Sequence, residues 1–288
     1  MNEEKTSFMD QLFTEPVYSD SPQTEALFLK ALQEELIFHY EHNDMYRQFC
    51  NRKGFDPHAE LNDIKQIPPV AVSVFKNLGY GLASVPKEDI KLRLQSSATS
   101  GTPSTVVVDK ITSKRQAKAM VKVMQEFIGK DRKPFLVMDI DPRSEFRSLL
   151  GARFAAITGY LNFASKSGFF LKAKNGVSYF DIDAIKEYLT TIPSDQPVVV
   201  FGFTYIMYSN VLKAILAKGE KIQLPKGSKI IHIGGWKKLE AEKVEKSLFN
   251  QQLADGFGIE PTDVIDIYGF TEQMGLNYPD CPCGCKHT

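Results

Sequence analysis

Two short stretches far apart in this 288-residue chain carry residue types that can do chemistry together. The first is Ser96-Ser97-Ala98-Thr99-Ser100-Gly101-Thr102-Pro103-Ser104. Small hydroxyl residues around a glycine offer backbone N–H and side-chain O–H donors, and such a loop can wrap phosphate oxygens. The second is Tyr268-Gly269-Phe270-Thr271-Glu272-Gln273. It supplies a ring to stack on a base, a hydroxyl for a phosphate and a carboxylate for Mg²⁺. Together they read as two halves of one nucleotide site. Taken alone the first stretch is also compatible with an ordinary hairpin turn, and it is not a Walker loop, which needs glycine, four residues and then Gly-Lys-Ser/Thr. Core packing competes with stacking for Tyr268, and an exposed loop acid competes with metal binding for Glu272.

Three further groups merit the same reading. Cys281-Pro282-Cys283-Gly284-Cys285-Lys286-His287 gathers three thiols and an imidazole, so Cys281, Cys283, Cys285 and His287 form a candidate Zn²⁺ set. Its single-residue spacing is tighter than structural zinc usually takes, and free surface thiols are the alternative. His39, His42 and Asp44 fit a solvated helix face better than a metal site. Phe201-Gly202-Phe203-Thr204-Tyr205 closes an apolar run, where it can line an acyl pocket or fill the core.

Composition narrows the classes. With 43% hydrophobic residues the chain can build a large core, and 35 basic against 35 acidic residues leave a formal charge of +0. That balance lacks the basic bias of a nucleic-acid or membrane-surface binder. No apolar run approaches the ~20 residues that span a bilayer, and the opening Met1-Asn2-Glu3-Glu4-Lys5 is not ordered like a signal peptide. A cytoplasmic protein is expected. Cysteines crowded into one tract argue against a disulfide framework.

Certain elements must position these residues. Residues 1–90 read as a helical region: Ser21-Pro22 starts a helix, Ala26, Leu29, Leu32, Leu36 and Tyr40 recur at helical spacing, and Gly54 closes it. Residues 91–288 read as an α/β core. Leu92-Arg93-Leu94 enters the hydroxyl loop and Thr105-Val106-Val107-Val108 leaves it, both as strands. A helix capped by Thr112 or Ser113 then carries the stripe Ala117, Met120, Val121, Met124, Phe127 and Ile128, ending at Gly129. Continuous apolar runs at 135–138, 198–201, 229–233 and 264–267 alternate with helical segments at 181–189, 205–218 and 237–254. This predicts a layered α/β fold with a largely parallel sheet buried on both faces.

The order of the motifs resembles the adenylate-forming superfamily. A hydroxyl/glycine loop comes first, then a strand ending in Gly234-Gly235, then Tyr-Gly-x-Thr-Glu. More closely, Ile67-Pro68-Pro69-Val70-Ala71-Val72-Ser73-Val74-Phe75-Lys76, Gly234-Gly235-Trp236-Lys237-Lys238 and Tyr268 to Gly275 are similar to the acyl-protein synthetase (LuxE) family, a relative of phenylacetate–CoA ligases. The resemblance implies ATP-dependent activation of a carboxylic acid, fatty or otherwise apolar, to an acyl-adenylate. Transfer to a thiol acceptor (a protein cysteine, a carrier protein or CoA) would follow. It implies that Ser97, Thr99, Ser100, Gly101 and Thr102 cradle the β/γ-phosphates and that Gly234 and Gly235 present backbone to the adenine. Tyr268 would stack on the base beside Gly269, Thr271 would donate to the α-phosphate, and Glu272 would hold Mg²⁺. Ala98 departs from the family's glycine and Ser104 from the superfamily's lysine. The superfamily continues beyond the last motif with a ribose-binding acidic motif and a small C-terminal domain, which this sequence is expected to lack. An acyl- or aryl-CoA ligase, or a non-catalytic nucleotide-binding module, are the alternatives.

Overall fold

Ser21 accepts a hydrogen bond from the Thr24 N–H (3.1 Å) and starts a long helix, as its sequence predicts. The computed structural model describes residues 7–96, 102–150, 153–174, 177–273, 277–281 and 283–286. The chain divides into two compact units: one runs to Glu126 and includes Gly269–Asn277, the other comprises Phe127–Tyr268 and the segment from Tyr278.

In the first unit, α1 (Phe8–Leu12) packs on α2 (Pro22–His42), which is followed by α3 (Asp44–Lys53). The single helical run expected up to Gly54 is broken at Asn43, whose side chain caps α3 through Tyr46 N–H (2.9 Å) and donates to the carbonyls of Gly81 and Ala83. Asn favours such caps because its short amide replaces the missing backbone partner. A short helix α4 (Val74–Asn77) leads to β1 (Ile90–Gln95) and β2 (Thr105–Asp109), paired antiparallel with Gln95 opposite Thr105. The hydroxyl loop therefore lies between two strands, as expected. Helix α5 (Lys110–Ile128) starts directly after β2. Its cap is Asp109 rather than Thr112 or Ser113. The Asp109 carboxylate accepts from the N–H groups of Ile111 (2.6 Å) and Thr112 (2.9 Å) and from the Thr112 hydroxyl (2.7 Å).

The second unit is built on a six-stranded sheet. Its strands are β3 (Lys133–Val137), β4 (Ala164–Phe169), β7 (Val199–Phe203), β8 (Lys229–Ile233), β9 (Val264–Tyr268) and β10 (Tyr278–Pro279), in the order β10-β9-β8-β7-β3-β4. All neighbours are parallel except β10, which runs antiparallel to β9. A separate hairpin, β5 (Leu171–Lys174) and β6 (Val177–Phe180), completes the strands. Helices α6 (Arg153–Tyr160), α7 (Ile182–Thr190), α8 (Thr204–Ile206), α9 (Lys213–Lys218) and α10 (Lys246–Phe257) join the strands, with a π-helical turn at Met207–Leu212 linking α8 to α9. The expected helix at 237–254 is in fact a 3-10 stretch followed by α10. Every residue of β7 is buried, and so are Phe135, Leu136, Val137, Ile230 and Ile231. Burial of both faces is what parallel strands with crossover helices require.

Candidate active site

The first unit brings together parts of both chemistry-bearing stretches. The hydroxyl loop is tied at its neck, where Ser96 N–H donates to the Ser104 carbonyl (3.1 Å) and Ser104 N–H donates to the Ser96 hydroxyl (2.8 Å). Ser97, Thr99, Ser100 and Gly101 lie outside the described residues, while Thr102 is exposed. The Thr271–Gln273 segment is a single 3-10 turn with all three residues half-buried, and it lies against β2, the strand that leaves the loop. Residues from opposite ends of the chain are thus neighbours in one unit. Two polar atoms there stand out. The Ser104 hydroxyl is fully buried and the Gln273 Oε1 is buried, and neither has a hydrogen-bond partner among the described residues. A buried hydroxyl without a partner is costly, and a polar ligand would satisfy it.

In the second unit Gly234, Gly235 and Tyr268 lie at the carboxyl edge of the sheet. β8 ends at Ile233, and Gly234 follows with φ +80°, a conformation that favours glycine. A Cβ on Gly235 would meet nothing within 4 Å, so its backbone faces open space. Tyr268 ends β9 with 52% of its surface exposed, opposite Tyr278 of β10. The ring is not packed in the core. The next residue, Gly269, belongs to the first unit and is exposed.

Sequence reasoning missed the polar groups on the same edge. Just beyond β3, Asp139 is completely buried and holds the Arg153 guanidinium in a two-point pair, Nε to Oδ2 at 2.7 Å and Nη2 to Oδ1 at 3.1 Å. Arg153 Nη1 donates to the Tyr205 hydroxyl (2.8 Å), and its Cζ lies 5.9 Å from the centre of the Phe203 ring. Burial opposes the guanidinium charge, but the Asp139 hydrogen bonds and charge outweigh it and hold the group firmly protonated. One strand further on, the buried His232 Nδ1 lies 2.9 Å from the Thr204 hydroxyl and 3.6 Å from Asp266 Oδ1. Burial, opposed by Asp266, keeps its imidazole below the ordinary value. Lys286 bridges Asp266 and Asp280 (3.1 Å each), and Lys246 also pairs with Asp280. This clamp fastens β10 beside β9. None of these groups sits in a recognisable motif; only Phe203 to Tyr205 was signalled, by its aromatic run at a strand end.

The cysteine tail forms a tight turn, with Cys281 N–H donating to the Cys285 carbonyl and Gly284 N–H to the Cys281 carbonyl (2.8 Å each). Cys283 and Cys285 are exposed thiols and His287 lies outside the described residues. Among the described residues no group of three or more His, Cys, Asp or Glu is arranged to hold a metal ion, so the zinc expectation gains no support. No helix among them is long and apolar enough to cross a membrane.

Comparison with known proteins bears on the family and the fold. The family model for acyl-protein synthetases, LuxE, matches residues 2–288. A long-chain-fatty-acid–luciferin-component ligase of Vibrio harveyi is 26% identical over 252 residues, covering 84% of this chain and 62% of the relative. Its counterpart from Aliivibrio fischeri is 25% identical over 243 residues, covering 82% and 60%. The chain therefore spans about three fifths of the length of these relatives. Among solved structures, an open conformation of 2-hydroxyisobutyryl-CoA ligase superposes with a TM-score of 0.58 at 12% identity, covering 88% of this chain and 51% of that one. That enzyme in its postadenylation state also gives 0.58, at 13% identity and covering 90% and 53%. These likenesses establish a shared mixed α/β fold with a largely parallel sheet, and the match along the whole sequence places the chain in the acyl-protein synthetase (LuxE) family.

Proposed function

We propose that this chain carries the acid-activating part of an ATP-dependent ligase. A carboxylate would attack the α-phosphorus of ATP to give an acyl-adenylate and pyrophosphate, and the acyl group would then pass to a thiol on a protein cysteine, a carrier protein or CoA. The observation that carries this reading is the packing of the Thr271–Gln273 turn against the strand leaving the hydroxyl loop, in a chain whose family model matches end to end. The acid is one with an apolar body.

A carboxylate is a poor nucleophile and the triphosphate repels it, so catalysis rests on charge neutralisation and positioning more than on a general base. Ser97, Thr99, Ser100, Gly101 and Thr102 supply donors for the β/γ-phosphates, and the neck hydrogen bonds between Ser96 and Ser104 fix the loop's two ends. The Ser104 hydroxyl, without a partner among the described residues, fits a phosphate-rich ligand near that neck. Gly234, bordered by the Phe203 ring, and Gly235, whose backbone faces open space, would present backbone to an adenine, and the exposed Tyr268 ring, next to Gly269, would stack on it. Thr271 donates to the α-phosphate. Glu272 would hold Mg²⁺, a hard cation suited to carboxylate oxygen, whose chemistry is to neutralise phosphate charge. The decisive experiment is acid-dependent exchange of labelled pyrophosphate into ATP, with hydroxamate trapping of the activated acyl group. Glu272→Gln is expected to lower exchange at least 100-fold. Undiminished exchange in that variant would refute the assignment, and CoA-dependent release of AMP would identify CoA as the acceptor.

A further inference from the structure

The two longest helices ahead of α5 place their charges as the helix dipole asks. α2 has Glu25 in its first turn and the basic residues His39 and His42 in its last, and α3 opens with Asp44 and closes with Arg52 and Lys53. Acids near a helix N-terminus and cations near its C-terminus are the stabilising order. α5 reverses it. Beyond the Asp109 cap no acid stands in its first turn and no basic residue in its last, while Lys110 is its first residue and Glu126 lies near its end. Lys110, Lys114, Lys118 and Lys122 recur every four residues, so like charges neighbour one another along the helix, which also disfavours it. Helix stability does not account for this pattern.

Two of these lysines have work within the fold. Lys122 donates to the carbonyls of Phe13 (2.8 Å) and Glu15 (2.6 Å), and Lys118 Nζ lies 5.0 Å from the centre of the Phe13 ring. Lys110 and Lys114 are exposed and enter no ion pair among the described residues. Beside Lys110 stands Ile111, 65% exposed, more than any other large apolar side chain among the described residues. Lys91 of β1 flanks this face, its Nζ 3.3 Å from the Ser113 hydroxyl, and the exposed Val121 extends it along the helix. From Lys110 to Val121 the strip is about 16 Å long, at a rise of about 1.5 Å per residue.

An occupant must satisfy both halves of the strip. The lysines want carboxylates, and the isoleucine wants apolar atoms among them. A bilayer fits poorly, because Met120, Val123 and Met124 are buried or half-buried, and Ile111 and Val121 alone are too little apolar surface for a helix embedded in an interface. The formal charge of +0 gives no general pull on polyanions, so recognition has to be local. A partner that takes up an acyl group and leaves needs an interface that is small, charged and short-lived.

We propose that the outward face of α5, centred on Ile111 between Lys110 and Lys114, docks an acidic carrier protein that bears the acceptor thiol. This rests on the acid-activation reading above and names its acceptor. Carboxylates of the carrier pair with Lys91, Lys110 and Lys114 around an apolar contact on Ile111. In the transfer that follows docking, the carrier's sulfur bonds to the acyl carbon as the carbon–oxygen bond to AMP breaks; AMP leaves with the electron pair and the thiol proton passes to water.

The test is fluorescence anisotropy of labelled acyl carrier protein, in its thiol form, titrated with the full chain. Saturable binding is expected, weakening about tenfold or more from low to high salt. Lys110→Glu combined with Lys114→Glu should weaken it about tenfold or more and Ile111→Ser about fivefold, while Lys130→Glu, at an exposed lysine beyond the helix, should leave it unchanged. The double variant puts acids where the dipole favours them, so its thermal unfolding should stay or move up, and lost binding is then not lost folding. No saturable binding of the carrier, or equal binding by the double variant and wild type, would overturn the proposal. So would capture by phosphatidylglycerol vesicles in place of the carrier. Acid-dependent pyrophosphate exchange needs no acceptor and separates the two readings. Exchange without carrier binding refutes the docking face and leaves acid activation standing. Carrier binding through α5 without exchange removes acid activation and upholds the docking face.

Discussion

His232 offers a quantitative test of how the sheet's carboxyl edge is built. It is 2% exposed, its Nδ1 is hydrogen-bonded with Thr204, and it immediately precedes Ile233-Gly234-Gly235. Burial holds it neutral below its usual value of 6.5, although Asp266 pulls the other way. In the unfolded chain the same imidazole titrates normally. Below pH 6.5 the unfolded state therefore binds a proton that the native state does not, and stability must fall as pH falls. The contribution is fully present above the unfolded value and is lost below it. For one site that stays neutral in the native state, the loss between pH 7.5 and 5.5 is about 1.4 kcal/mol. The perturbation is His232→Asn, whose amide can keep the contact with Thr204 and cannot titrate. Urea unfolding followed by circular dichroism at both pH values gives four stabilities. The variant is expected to be less stable overall, since an aromatic side chain is lost beside Phe249. Its pH dependence should be shallower than wild type by about 1.4 kcal/mol over this range. His39 and every carboxylate are common to both proteins and cancel in that difference. Identical pH dependences would refute the reasoning and show that His232 is not held neutral in the native state.

Two further predictions address the framework. Phe201, 1% exposed and stacked on Tyr160 at 4.4 Å between ring centres, should lose about 3–5 kcal/mol on change to Ala, read by the same urea titration. Asp109→Ala should remove about 1–2 kcal/mol by uncapping α5, and Asp109→Asn less. Burial raises the Asp109 carboxyl, but the hydrogen bonds from Thr112 and Ile111 outweigh it and keep it below 3.8, so its stabilisation is present above that pH and disappears in more acidic solution.

The parallel core was legible because burial on both faces writes strands as continuous apolar runs; β3, β7, β8 and β9 all follow from that one rule. β4, Ala-Ser-Lys-Ser-Gly-Phe, was not, because an edge strand with half-exposed polar residues carries no such run. The break at Asn43 escaped because Gly54, the first glycine of the chain, reads as the stop, and only the tertiary acceptors Gly81 and Ala83 reveal why the chain turns earlier. At the site, the residue types around Tyr268 and Glu272 suggested nucleotide chemistry, but nothing in their spacing announces that the Thr271–Gln273 turn packs on β2. Asp139 and Arg153 are invisible to motif reading: one follows an apolar strand, the other starts an ordinary helix, and only the fold makes them partners.

The contact between β2 and the Thr271–Gln273 turn also bears on how the protein is made. The first unit needs Gly269–Asn277, so it is discontinuous along the chain. A ribosome releases β1 and β2 early and this last piece late, after the whole parallel sheet up to β9. Closing a contact between such distant segments carries the loop entropy of everything between them, and topologies rich in such closures fold slowly. The hairpin that presents the hydroxyl loop must therefore wait, incomplete, until synthesis has nearly passed through the sheet. In pulse-proteolysis of stalled nascent chains, protection of β2 is expected to appear only once the Thr271–Gln273 turn has left the exit tunnel.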